Sequence, residues 1–391
     1  MNSVVVVAAK RTPIGRFGGS MKNLSAVEMT SQLVKKTLEP FKLKDYVEEV
    51  ILGNVLQSGQ GQGPARQVQI YSGIDETVPS FTVNQICGSG MTSIILGAQK
   101  ILTGERETVL VGGMESMSQA PYLQKKTRFG SKLGHDLLVD AILNDALTDS
   151  FSGSHMGVTA EKVAGEFEIS RNQQDEFALE SHQKVRNAWR NHAFSQEIIP
   201  MELSNGKIFD KDEHYREDLS LADLNKLRPA FQKEKGTVTA GNSSGINDGA
   251  AILLLMSKKK AEELGIDYLA EIISWASEGV NPEVMGLGPI PASRKALNNA
   301  GLDIDDIDLF EMNEAFAAQA LAVKNELKIP EEKLNINGGA IALGHPVGAS
   351  GARIVVSLVH ALIKEEKKYG LASLCVGGGM GISIIIKREE V

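Results

Sequence analysis

Cysteine, tryptophan and long apolar runs are scarce in this chain of 391 residues. Its two cysteines, Cys87 and Cys375, are too few for a disulfide framework or a four-cysteine zinc site. No uninterrupted apolar run approaches the roughly 18 residues of a membrane-spanning helix. The apolar run at 4–9 precedes its basic residues, the reverse of a signal peptide. We therefore expect a cytoplasmic protein with no membrane partner.

Positive charge is also in deficit. Lys and Arg number 41 against 49 Asp and Glu, a formal net charge of −8. A nucleic-acid binder usually carries net positive charge, so we expect no nucleic-acid partner. The hydrophobic fraction of 42% and the charged fraction of 23% are ordinary globular values. At this length they predict two or three domains with a sizeable core.

Glycine, in contrast, is abundant, with 39 residues. Short, often β-branched apolar runs alternate with amphipathic stretches, a pattern typical of an α/β fold with layered sheets. The predicted strands lie at 4–9, 50–52, 108–111, 252–256, 270–274, 374–376 and 382–386. The predicted helices include 25–38, 159–167, 172–191 and 293–300.

Three weak sequence similarities relate the N-terminal and C-terminal parts of the chain. VILGN (50–54) resembles LFEMN (309–313), CGSG (87–90) resembles GASG (348–351), and VGG (111–113) resembles VGG (376–378). The order is kept, with a nearly constant offset of about 260 residues. We predict two copies of one α/β unit, one formed by 1–120 with 246–267 and the other by 268–391. The polar, loop-rich segment 121–245 is then an insertion with a function of its own.

Cys87 is the first candidate for chemistry. It lies in VNQICGSG (83–90), where a strand-like approach meets a Gly-Ser-Gly turn and an apolar helix running to about residue 102. A helix N-terminus lowers the pKa of a thiol, and glycines let a substrate approach the sulfur. This context favours a nucleophile over the alternative, a buried structural cysteine.

Three further candidates lie in glycine-rich or polar segments near the C-terminus. His345, in ALGHPVGASG, is suited to act as the base for a thiol; the alternative is a loop histidine bonded to backbone. Cys375 ends a strand before GGGMG, whose N–H groups suit an oxyanion hole; the alternative is a tight turn beside a core cysteine. Asn313 orients a water or a carbonyl, or caps a helix.

Other chemistries fit these segments less well. The His345 segment lacks the Gly-Lys-Ser/Thr of a phosphate loop. A strand-like run follows GGGMG, where a dinucleotide site needs a helix. The two cysteines and His345 lack the local spacing of zinc ligands. We therefore expect neither a metal nor a resident cofactor.

The motifs together resemble those of the thiolase family. They are VNQICGSG (83–90), HMG (155–157), GNSSGINDGA (241–250), NEAFAAQ (313–319), NGGAIALGHPVGASGAR (337–353) and CVGGGMG (375–381), spread over most of the chain in the order of that family. The resemblance implies two duplicated mixed-sheet halves in a layered αβαβα arrangement, with an inserted loop domain. It also implies a homotetramer, with the segment near 120–140 bridging dimers.

The resemblance also implies roles for individual residues. Cys87 is the nucleophile that becomes acetylated, His345 takes its proton, and Cys375 moves a proton at the methyl carbon of the second substrate. Asn313 holds a water that stabilises the enolate oxygen with His345, and the N–H groups of Cys87 and Gly377 form the oxyanion hole. The resemblance implies a pantetheine tunnel lined by Leu147, His155, Met156, Ala240 and Ser244. It implies an acyl pocket shaped by Phe231, Met285 and Phe316. It places Arg216 beside the adenine.

The implied activity is that of an acetyl-CoA C-acetyltransferase, which joins two acetyl-CoA into acetoacetyl-CoA and CoA. CoA thioesters are then the substrates, and no cofactor is needed. His155 favours this activity over the main alternative, a broad-range 3-ketoacyl-CoA thiolase of fatty-acid degradation. The lesser alternative is a non-catalytic acyl-CoA binding protein. If Cys87 and Cys375 meet in one site, an oxidant can couple them reversibly.

Overall fold

The structure, a computed structural model, describes residues 3–389 apart from the side chain of Phe41. Its strands are β1 (Val4–Arg11), β2 (Gly15–Arg16), β3 (Glu49–Gly53), β4 (Ser80–Val83), β5 (Thr108–Ser116), β6 (Tyr122–Leu123), β7 (Val139–Asp140), β8 (Met201–Glu202), β9 (Ile208–Phe209), β10 (Asn247–Ser257), β11 (Ala270–Gly279), β12 (Leu309–Met312), β13 (Tyr369–Val376) and β14 (Met380–Arg388). Its α-helices are α1 (Ala26–Leu38), α2 (Pro64–Tyr71), α3 (Ser89–Leu102), α4 (Met156–Glu166), α5 (Arg171–Arg190), α6 (Leu221–Asn225), α7 (Lys258–Leu264), α8 (Pro289–Ala300), α9 (Ala317–Leu327), α10 (Ala340–Leu343) and α11 (Val347–Lys364).

The strand pairing repeats itself in the two halves of the chain. In the first half β1 pairs antiparallel with β10, β10 antiparallel with β5, and β5 parallel with β3. In the second half β11, β14, β13 and β12 pair in the same order and with the same senses. A short antiparallel ladder between β1 and β11 joins the two halves into one sheet path. The predicted duplication is therefore visible in the topology.

Helices cover both faces of each half and create five layers. Helices α3 and α11 pack between the two halves, against residues such as Val111 of β5 and Ile384 of β14. Helix α1 covers the outer face of the first half, and α8 with α9 covers that of the second. Neighbouring residues of one strand therefore face different apolar layers, which explains the continuous apolar runs. The predicted α/β layered fold class is confirmed.

The segment between β5 and β10 contains most of the remaining structure. It holds helices α4 to α6 and two small hairpins, β6–β7 and β8–β9. Helix α5 begins at a capping box of Ser170 and Gln173, and α1 begins at one of Ser25 and Glu28. These local signals explain why both helices begin close to their predicted positions. The domain boundaries drawn from the sequence stay predictions.

Helix α11 is long and apolar enough to cross a membrane by length and composition, yet 89% of it is buried inside the protein. Its apolar side chains fill the middle layer between the two halves. Because this position buries α11 on nearly every side, the helix is apolar around almost its whole circumference.

Two glycines let the backbones of α3 and α11 approach each other. A Cβ atom on Gly90 of α3 would lie 2.7 Å from the backbone nitrogen of Ala352. A Cβ atom on Gly351 of α11 would lie 2.5 Å from the backbone nitrogen of Met91. Because both neighbours are backbone atoms, a side chain at either glycine displaces a helix.

We expect Gly351→Ala to lower the free energy of unfolding by about 1–3 kcal/mol, because the new methyl group overpacks a buried helix contact. Gly165→Ala is the matched control, since Gly165 is exposed in α4 and a Cβ there meets nothing within 4 Å. That variant should be neutral, or more stable by up to about 1 kcal/mol. Urea unfolding measures both, and equal effects of the two substitutions would contradict the close-packing account.

Candidate active site

A strained turn holds Cys87 immediately before α3. Ile86 adopts a positive φ of 50°, which is unusual for a β-branched residue. The Asn84 side chain accepts a hydrogen bond from the Ile86 nitrogen at 2.9 Å. The Ser89 hydroxyl accepts from the Gln85 nitrogen at 2.9 Å and donates to the Ile86 oxygen at 2.6 Å. These bonds stabilise the turn and fix the position of the thiol.

Burial, rather than the helix end, controls the ionisation of Cys87. It raises the pKa of the thiol to about 11, although the backbone N–H groups of Gly377 and of Cys87 itself favour the thiolate. The expectation of a lowered thiol pKa was therefore wrong, because desolvation outweighs the helix N-terminus. A neutral thiol needs a base when it attacks a substrate.

His345 is held by residues from both halves of the chain. Its backbone nitrogen donates to the side-chain oxygen of Asn247 at 3.0 Å. The Asn247 side chain donates in turn to the Gly15 oxygen at 2.9 Å. The ring Nδ1 lies 2.5 Å from the Ser350 hydroxyl. Burial and the positive charge of Arg353 lower the pKa of His345 to about 3, so the imidazole is neutral at neutral pH.

A buried carboxylate anchors the helix that follows His345. Glu115, at the end of β5, accepts hydrogen bonds from the Asn54 side chain and from the Val55, Leu56 and Gly348 nitrogens, at 2.8 to 3.1 Å. Burial raises its pKa to about 7 despite these donors. Because Gly348 lies in the first turn of α11, this carboxylate ties the start of α11 to the loop after β3.

Cys375 and Asn313 come from neighbouring parallel strands. Cys375 lies near the end of β13, and burial raises the pKa of its thiol. Asn313 follows β12, and its nitrogen donates to the Ser373 oxygen at 2.9 Å. The Asn313 side chain is fully buried, and neither of its amide atoms has a hydrogen-bond partner within the described chain. A buried free amide of this kind is equipped to bind a water or a carbonyl group.

Most of the residues with predicted chemical roles line one cavity of about 330 Å³. Cys87, Cys375, His345 and Gly377 all line it. Every residue predicted for the pantetheine tunnel and the acyl pocket lines it as well: Leu147, His155, Met156, Phe231, Ala240, Ser244, Met285 and Phe316. The structure therefore brings together side chains from both halves and from the inserted segment.

Stacked aromatic rings form one wall of this cavity. The rings of His155 and Phe231 stack with centroids 4.7 Å apart, and Phe231 meets Phe316 edge to face at 6.3 Å. His155 Nδ1 accepts a hydrogen bond from the Gly157 nitrogen at 3.0 Å, so the neutral ring carries its proton on Nε2. These contacts pack two rings of the inserted segment, those of His155 and Phe231, against Phe316 of the second half.

Two predicted residues do not line the cavity. Asn313 is buried, whereas Arg216 is exposed, and its backbone nitrogen donates to His182 Nδ1 at 3.0 Å. The role of Arg216 at an adenine stays a prediction. Sequence reasoning also missed nine wall residues, because some lie outside every motif and the others carried no separate signal within one. They are Met117, Ala146, Ala230, Thr239, Ser243, Gly245, Ile246, Ala315 and Val347.

Within residues 3–389, no group of three or more His, Cys, Asp and Glu side chains is arranged to hold a metal ion. The polar groups at the cavity are two thiols, the imidazoles of His345 and His155, the hydroxyl side chains of Thr239, Ser243 and Ser244, and backbone N–H groups. Such a set suits acyl transfer by a nucleophile and a base.

Comparison with known proteins identifies the family. The model of the thiolase N-terminal domain matches residues 4–259, and that of the thiolase C-terminal domain matches 266–388. A probable acetyl-CoA acyltransferase of Staphylococcus aureus (strain COL) is 51% identical over 395 residues, covering 100% of both chains.

Solved structures agree with this family. The Bacillus anthracis acetyl-CoA acetyltransferase superimposes with a TM-score of 0.97 at 43% identity, covering 100% of this chain and 99% of that one. Human mitochondrial 3-ketoacyl-CoA thiolase in complex with CoA gives 0.96 at 44% identity, with 100% and 98% coverage. The chain therefore belongs to the thiolase family and is an acyltransferase of the thiolase type.

Proposed function

We propose that the protein is an acetyl-CoA C-acetyltransferase, which condenses two acetyl-CoA into acetoacetyl-CoA and CoA through an acetyl group on Cys87. The observation that carries this proposal is the meeting of Cys87, His345 and Cys375 at one cavity. A Claisen condensation needs an acyl carrier and a base for a weakly acidic C–H bond, and these side chains supply both. The reaction needs no metal or other cofactor.

The first half-reaction moves the acetyl group to Cys87. His345 takes the thiol proton while the sulfur attacks the thioester carbonyl. The backbone N–H groups of Cys87 and Gly377 stabilise the oxyanion. The C–S bond to CoA then breaks, and Cys375 gives its proton to the departing CoA thiolate. The products are acetyl-Cys87, a protonated His345 and a Cys375 thiolate.

The second half-reaction forms the new carbon–carbon bond. The Cys375 thiolate takes a proton from the methyl group of a second acetyl-CoA. Protonated His345 and a water held by the free amide of Asn313 stabilise the enolate oxygen. The carbanion attacks the acetyl carbonyl and expels the Cys87 thiolate, which regains its proton from His345. Each side chain returns to its starting state, and thiolysis is the same path in reverse.

The aromatic wall supports a preference for short acyl groups. The ring of His155 stacks on that of Phe231, and Phe316 meets Phe231 edge to face, so packed rings occupy one side of the cavity and leave less room for a long acyl chain. One of the similar structures, however, is a 3-ketoacyl-CoA thiolase. A broad-range 3-ketoacyl-CoA thiolase is therefore the second candidate.

Thiolysis separates these candidates. We expect kcat/KM for acetoacetyl-CoA to exceed that for a long-chain 3-ketoacyl-CoA by at least about tenfold, because the wall excludes the longer chain. Cys87→Ala should lower kcat at least about 10³-fold, since it removes the acyl carrier. The measurement is release of acetyl-CoA in the presence of free CoA.

Equal turnover of both substrates would support the broad-range thiolase instead. Tight CoA binding with no turnover of either would show a non-catalytic acyl-CoA binding protein. Full activity of Cys87→Ala would contradict the proposed nucleophile.

We also propose that the chain assembles into a homotetramer through residues 122–151. Large apolar side chains are exposed throughout this segment: Tyr122, Phe129, Leu133, Leu137, Leu138, Leu143 and Phe151. Phe129 and Leu133 are 90% and 98% exposed. Apolar surface of this density is typical of a protein–protein interface.

Light scattering after size-exclusion chromatography should give four times the 42.1 kDa chain mass. The double variant Phe129→Ser with Leu133→Ser should form smaller species, because it removes the most exposed apolar groups. Ile208→Ser is the control, as this residue is 60% exposed but lies outside the segment. A monomeric wild-type protein, or an unchanged mass for the double variant, would contradict the proposal.

A further inference from the structure

Ser350 lies in the first turns of α11 and is fully buried. It does not line the cavity, so it has no contact with a substrate there. Its hydroxyl oxygen lies 2.5 Å from Nδ1 of His345 and 2.9 Å from the backbone oxygen of Pro346. The Ser350 hydroxyl therefore bridges the catalytic ring and the backbone of the same segment.

Counting protons assigns the direction of both hydrogen bonds. A serine hydroxyl can donate only one hydrogen bond, because it has one proton, but its oxygen can also accept hydrogen bonds. The Pro346 oxygen can only accept, so that bond uses the Ser350 proton; a bond from a helical serine to the carbonyl four residues earlier is a common arrangement. The contact with His345 is then a hydrogen bond only if the ring donates, which requires the proton on Nδ1.

We propose that Ser350 is a positioning residue that keeps the proton of neutral His345 on Nδ1, so that Nε2 meets the cavity with a free electron pair. The inference rests on the proposed function, because that electron pair is the base for Cys87. When Nε2 takes the thiol proton, the Nδ1–H bond to Ser350 is unchanged. The ring therefore moves from base to acid without turning.

The other groups around the His345 ring are consistent with an uncharged hydrogen-bond partner such as Ser350. Arg353 repels a positive imidazole, as the lowered pKa of His345 reflects, and the nearby carboxylate of Glu115 is bonded to Gly348 rather than to the ring. A serine orients the ring without the negative charge that a carboxylate would add. The imidazolium formed in the first half-reaction is then a strong enough acid to return its proton to Cys87.

Nitrogen-15 NMR of histidine-labelled protein measures the tautomer directly, with His345→Asn used to assign the signal among the seven histidines. In the wild type we expect a protonated Nδ1 and an unprotonated Nε2. In Ser350→Ala, the Nδ1 proton loses its acceptor, and we expect the Nε2–H form to become populated. Ser357→Ala is the control, because Ser357 is also buried in α11 and should leave the tautomer unchanged.

Single-turnover acetylation of the protein by acetyl-CoA tests the consequence. We expect Ser350→Ala to slow it roughly 10- to 100-fold, part of the 10² to 10⁴ that a general base contributes. Ser357→Ala should keep the wild-type rate. A wild-type His345 protonated on Nε2, or a Ser350→Ala protein with both the wild-type tautomer and the wild-type rate, would overturn the inference. A wild type with the expected tautomer but no acetyl transfer would instead contradict the proposed function.

Discussion

The close contact between α3 and α11 is the constraint on which the site depends. The two helices come from different halves of the duplicated fold, and Gly90 and Gly351 let their backbones meet. Cys87 immediately precedes one helix, and His345 precedes the other. Cys87 and His345, the proposed nucleophile and its base, are 258 positions apart in the sequence, and they share one cavity because of a backbone contact between two helices.

Burial then decides how these groups can react. The two thiols and the imidazole are all neutral at rest, since burial raises both thiol pKa values and lowers that of His345. The nearby charges of Glu115 and Arg353 belong to the surrounding framework. In the proposed reaction, protons must therefore pass between these groups during the chemical steps rather than before them. In the proposed reaction a second thiol is therefore useful, because it gives a proton in the first half-reaction and takes one in the second.

Local signals in the sequence predicted most of the fold. The helices predicted at 25–38 and 293–300 are present as α1, which Ser25 caps, and α8, which Gly301 ends, and the glycine turn after Cys87 leads into α3 as expected. Helix α8 begins earlier than predicted, at Pro289, because proline fits the first turn of a helix. The sign of the Cys87 pKa shift was missed, since burial comes from distant segments. Ser350 lies inside the motif at 337–353 and Glu115 lies two residues after the VGG run at 111–113, but only the folded structure shows which groups they bind.

The central claim is that Cys87 carries the acetyl group. Rapid quenching after mixing with acetyl-CoA, followed by mass spectrometry of the intact chain and its peptides, tests this most directly. The account predicts one acetyl group per chain, attached to Cys87, that disappears when free CoA is added. An acetyl group on another residue, or none during active turnover, would contradict it.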